Sequence, residues 1–113
     1  MVEWLAPWNP VSDDPSQAKA MEAELRRELV AGHSLHRVPV RAMGRRRDRD
    51  DVLFGLEDGS RRVAVVHLTW KPPERPPWPI TRFYSDFEAW VVEAISAGGG
   101  PLVLFIESAG PIA

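Results

Sequence analysis

A chain of 113 residues, 44% hydrophobic and 27% charged, is long enough for one domain with its own core and too apolar to stay disordered. It contains no cysteine, which excludes disulfides, thiolate metal sites and a cysteine nucleophile. The net charge of −2 divides into −3 over residues 1–32, +3 over 33–62 and −2 over the remainder, so nucleic acid would have to be met by a local basic patch.

Residues 1–10 hold an early acid, Glu3, two prolines and no basic segment, unlike a signal peptide. No apolar run approaches the roughly 18 residues of a membrane span. A cytoplasmic protein without cofactor is the expectation. Twelve arginines against two lysines are compatible with guanidinium chemistry, but the codon bias of a GC-rich genome gives the same ratio and is the preferred reading.

In chain order, residues 1–13 form an arm bearing Trp4 and Trp8, with Pro7 between them opposing a helix. The arm is expected either to plug the edge of the core or to meet a partner. Asp14-Pro15 is a helix start, an N-cap acid before proline at the first helical position. Ala18, Met21, Leu25 and Leu29 then make one apolar stripe, and Gly32 stops a helix expected over 15–31.

Residues 36–45 alternate, with Val38, Val40 and Ala42 on one side and Arg37, Pro39 and Arg41 on the other. That pattern is a half-buried strand, which Pro39 assigns to a sheet edge. Strands are expected next over 52–57 and 61–70, joined through Asp58-Gly59. A two-residue turn there would set Val52 and Phe54 opposite Val63 and Val65. An odd turn, with Gly59 left-handed, instead gathers Val52, Phe54, Ala64, Val66, Leu68 and Trp70 on one face, the more coherent core. Asp51, Leu53, Arg61, Val63, Val65, His67 and Thr69 then share the other.

Residues 71–84 read as a proline-rich loop, stiff and extended through its prolines. Ser85-Asp86-Phe87-Glu88 reads as a capping box, and Phe87, Trp90, Val91, Ala94 and Ile95 follow on one helical face. Five large apolar residues at 102–106 suggest a last strand, paired within the sheet or across a dimer. The expected fold is one α+β domain over 1–113, an antiparallel sheet of three to four strands with both helices on one face, in the order α-β-β-β-α-β.

The candidate chemistry centres on His67. The preferred register puts it on one face with Asp51 and Thr69, with Arg41 near, a base beside an orienting carboxylate and a hydroxyl. A mid-strand threonine lacks the terminal amine that usually activates that nucleophile, and no nucleophile elbow, phosphate loop or dinucleotide fingerprint is present. His33, His36 and His67 could in principle ligate zinc, but no acid motif accompanies them and no metal site is assigned. The arginines of 41–49 are interleaved with acids and lack aromatics, which favours a solvated turn over nucleic-acid binding. Trp78 in the proline loop could anchor a partner or fold back on Trp70 or the arm.

Asp50-Asp51-Val52-Leu53-Phe54, Val63-Ala64-Val65-Val66-His67-Leu68-Thr69-Trp70 and Trp78-Pro79 resemble the core of a group of small uncharacterised bacterial proteins. The resemblance spans 35–92 and implies a bacterial cytosolic protein, with no activity to transfer. The leading expectation is a non-enzymatic module binding a protein partner, or a second copy of itself, through Arg41, His67, Thr69, Trp70 and Trp78. The alternative is a small enzyme using His67 with Asp51. A third reading is weak nucleic-acid binding through residues 41–49.

Overall fold

The computed structural model describes residues 4–5, 7–11, 14–46, 48–96 and 100–101. In chain order the elements are β1 (Trp4–Leu5), β2 (Trp8–Pro10), α1 (Pro15–Glu28), β3 (Val40–Arg46), β4 (Asp51–Leu56), β5 (Val63–His67), β6 (Thr81–Tyr84), α2 (Phe87–Ser96) and β7 (Gly100–Pro101). Strands β2 to β6 form an antiparallel meander in sequence order, and β1 pairs separately with β7. The α+β class holds, with more strands than the alternation alone suggests. The apolar run at 102–106 lies outside the described residues.

Asp14 starts α1 by accepting the Gln17 backbone N–H at 3.2 Å, with Pro15 at the first helical position. This bond comes first among those that hold its carboxyl below the usual range. Met21 and Leu25 are buried and Ala18 and Leu29 pack beside them, so the apolar stripe faces the sheet as its spacing requires. The helix ends at Glu28, three residues short of the expected stop, because the Leu29 backbone is already extended. Asp86, one residue later than the capping box implies, caps α2 by accepting the Ala89 N–H at 2.8 Å.

The odd turn is present. Gly59 has φ +85°, Leu56 N–H donates to the Arg62 carbonyl, and Val52 and Phe54 pair with Val66 and Ala64. Their face, with Leu56 and Leu68, packs on α1. The odd positions Leu53, Val63 and Val65 are apolar too, and they pack on Trp90, Val91 and Ala94 of α2. The two helices therefore lie on opposite faces of the sheet, correcting the expectation that both share one. β4 is central and buried on both sides, which is why its run is continuously apolar.

Three further corrections concern strand ends. Pro39 does not make an edge strand, because β3 begins after it and lies between β2 and β4; the Pro39 carbonyl instead accepts the Glu57 N–H at 2.8 Å. Trp70 is not core: β5 ends at His67, and Trp70 is 47% exposed with φ +57°. The region expected to be loop up to residue 84 contains β6, whose Thr81 and Tyr84 pair with Val66 and Val63.

The arm is structural in part. β2 covers only Gly44, Arg45 and Arg46 of β3; farther along that edge the Ala42 N–H donates to the Glu22 carboxylate of α1 at 2.9 Å, so the strand is not left bare. A bulge at Met43 shifts the β3–β4 register between Ala42 and Gly44. Beside it the Trp4 ring lies on the strand, where a Cβ on Gly44 would come within 2.6 Å of it. Trp4 is held there by Trp90, 5.8 Å away between ring centroids, and Trp8 meets Trp90 edge-on at 5.0 Å. Gly44→Ala is thus expected to destabilise the fold by about 1–3 kcal/mol, read as a lower urea midpoint with altered tryptophan fluorescence.

Candidate binding cleft

On the α2 side, the end of the sheet opens into a cleft of about 550 Å³. Val65, Trp90 and Ala94 provide apolar lining. Arg46 and Arg49 flank the β3–β4 turn, Trp78 and Ile80 come from the segment leading into β6, and Arg82, Tyr84 and Glu93 also line it. His67 and Asp51 are cross-strand partners at the ends of β5 and β4.

His67 Nδ1 lies 2.8 Å from Asp51 Oδ1, with the carboxylate mostly covered and the imidazole half exposed. In the neutral ring Nδ1–H donates to Asp51, leaving Nε2 as acceptor. Arg46 grips Asp48 with two hydrogen bonds, at 2.7 and 3.3 Å, which holds the Asp48 carboxyl below its usual range. Arg82 donates to Glu93 at 2.7 Å; its bond with Tyr84 and then Glu93 favour its charged form, while burial pushes the Tyr84 phenol up. The Arg49 backbone N–H bonds the Arg46 carbonyl across the turn, but its guanidinium makes no hydrogen bond or ion pair among the described residues.

Of the residues singled out from sequence, His67, Asp51 and Trp78 come together. Arg41 lies farther along β3, opposite Gly55 and 3.9 Å from Glu57. Thr69 and Trp70 have left the sheet. The arginines of 41–49 are dispersed: Arg41 faces Glu57, Arg45 reaches Gln17, Arg46 holds Asp48 and only Arg49 is unpaired among the described residues. The zinc reading finds no support in His33, whose two ring nitrogens are engaged internally, and no group of three potential ligands is assembled among the described residues. No helix among them is long and apolar enough to cross a membrane.

Ile80, Arg82 and Tyr84 are not marked by the sequence reading, and Arg49 enters it only within the basic segment 41–49, not as a neighbour of His67. The available signal was Arg49-Asp50-Asp51: a charged turn leading into a strand whose first residue is a site candidate returns its arginine to the same end of the sheet. Arg82 and Tyr84 were hidden by assigning their whole segment to loop.

The wall bearing Trp78 is fixed from the other side of the sheet. Buried Glu28, the last residue of α1, accepts the Thr69 N–H at 2.9 Å and the Trp70 N–H at 2.8 Å. Arg27 donates to the Lys71 carbonyl at 3.1 Å and grips Glu24 with two further bonds. Beyond the helix, buried His33 accepts the Leu35 N–H at Nδ1 and donates from Nε2 to the Pro79 carbonyl at 2.9 Å. The proline segment is therefore tied down at both ends. Between them it turns, with Trp78 N–H bonded to the Arg75 carbonyl, and does not run extended. Trp78 stays 41% exposed on the cleft.

The carboxyls of Glu24 and Glu28 also act on each other, and can share a hydrogen bond only when one of them is protonated. The Arg27 bond first of all lowers Glu24; burial first of all, then Glu24, raises Glu28 against the pull of the two N–H donors. The folded chain thus holds the Glu28 proton more tightly than the unfolded chain. Its contribution to stability is full below the ordinary glutamate value and is lost as pH rises through the raised folded value; Glu24 behaves oppositely, losing its contribution as pH falls through its depressed value.

The chain matches no protein-family model, no curated protein and no solved structure.

Glu28→Gln keeps an acceptor for the two N–H groups and cannot ionise. Its melting temperature should fall less than that of the native chain as pH is raised from 4.5 to neutrality. Glu28→Ala leaves both donors without their partner and should lose about 1–3 kcal/mol in urea denaturation.

Proposed function

We propose that this chain is a non-enzymatic interaction module, bacterial and cytoplasmic in setting, whose binding surface is the cleft beside His67 and Trp78. The observation that carries the reading is the exposure of Trp78 and Ile80, at 41% and 44%, on a cleft also lined by arginine and tyrosine. Tryptophan, tyrosine and arginine are the side chains that dominate binding energy at protein interfaces. Clamping of the proline segment supports the same reading, because a wall ordered before binding loses less entropy when a partner docks. The partner is a different protein or a second copy of this chain.

A photo-crosslinking residue placed at Trp78 in native cells should convert the chain into one adduct of discrete mass. The same residue at Lys19, exposed on α1, should not. An adduct of twice the chain mass identifies a homodimer; no adduct, or equal labelling from both positions, overturns the reading.

The 2.8 Å contact between His67 and Asp51 favours a second reading, a small enzyme in which Asp51 orients His67 as a general base. Thr69 has no part in it, since it does not line the cleft and its hydroxyl accepts the Lys71 N–H. On this reading the purified chain cleaves activated p-nitrophenyl esters faster than free imidazole at equal concentration, and His67→Ala abolishes the excess. Equal rates for the two chains eliminate it.

A further inference from the structure

We propose that the cleft recognises a single carboxylate on a partner segment, an acidic residue flanked by apolar ones, with Arg49 as its counter-ion. This rests on the interaction-module reading and specifies the chemistry of the partner.

The charges of the cleft are largely committed. Arg46 holds Asp48, Arg82 holds Glu93, and Asp51 holds the His67 ring. Among the charged and imidazole side chains of the cleft, the Arg49 guanidinium and His67 Nε2 have no partner among the described residues. Asp48 feels the Arg49 charge only weakly, after its bonds to Arg46. A guanidinium has no acceptor capacity, and its planar fork matches a carboxylate with two parallel hydrogen bonds. His67 Nε2, an acceptor while Asp51 takes the Nδ1 proton, can receive a backbone N–H of the same segment.

The charge balance selects the size of the anion. Among the described residues, three arginines at this end of the sheet, Arg46, Arg49 and Arg82, stand with four carboxylates, those of Asp48, Asp50, Asp51 and Glu93. A polyphosphate or nucleic-acid backbone would meet the carboxylates as well as the one unpaired cation, whereas a single carboxylate meets Arg49 alone. An exposed ion pair contributes little by itself. The apolar neighbours of the acidic residue supply the rest by covering Trp78 and Ile80.

The test uses two capped pentapeptides, one with a glutamate between two leucines and one with glutamine in its place. Both are titrated into the ¹⁵N-labelled chain while the Trp78 indole N–H and Arg49 side-chain N–H resonances are followed. The glutamate peptide should shift both and bind about threefold more tightly than its glutamine counterpart, and Arg49→Gln should remove that preference without altering the melting temperature. Equal binding of the two peptides at Trp78 would overturn acid selection while leaving the interaction module standing. No shift with either peptide, or displacement of the glutamate peptide by an equal concentration of inorganic phosphate, would overturn the proposal; the Trp78 crosslink judges the module independently.

Discussion

The carboxylate of Glu28 joins the end of α1 to the end of β5. By taking the N–H groups of Thr69 and Trp70, it gives the chain somewhere to go when the sheet ladder stops at His67. Two backbone donors that would otherwise sit partly buried without acceptors are satisfied, and Trp70 is held in a left-handed conformation that a bulky side chain rarely adopts. Everything after this point depends on it. The direction in which the proline segment leaves the sheet decides where Trp78 stands when the chain returns to form β6.

The consequence is a division of labour between the two faces. α1 and its trailing turn lie against the Val52, Phe54 and Val66 face, yet Arg27, Glu28 and His33 hold the segment that walls a cleft on the opposite face. α2 contributes the lining, through Trp90, Ala94 and Glu93. The ends of β4 and β5 carry the polar pair. The cleft is thus assembled from three layers, and its rigidity comes from the layer farthest from it.

Much of this fold was legible in the residues. The stripe of Ala18, Met21, Leu25 and Leu29 gave α1, Asp14-Pro15 gave its start, and the parity of Val52, Phe54, Ala64 and Val66 picked out the odd turn at Gly59. Parity failed where both parities were apolar: Leu53, Val63 and Val65 looked like spare hydrophobicity on a polar face and are in fact the second core, under α2. Trp70 continued the alternation in sequence but not in space, because a buried glutamate from a distant helix redirected the backbone, and no local pattern encodes that. The juxtaposition of Asp51 with His67 followed from register alone. The arginines joining them did not, since Arg82 belongs to a strand concealed behind a run of prolines.

The Glu28 contacts also carry information about time. They join residues 41 and 42 positions apart, and the intervening chain contains β3, β4 and β5. Closing so long a loop is entropically unfavourable until the strands within it have paired. Strands β3 to β5 are therefore expected to pair before α1 fastens the proline segment, and Trp78 to reach its place after them. In the folded protein the same order runs backwards: the fastening can open while the central hairpins remain intact. Hydrogen exchange at the Thr69 and Trp70 amides thus reports a motion separate from the unfolding of the sheet.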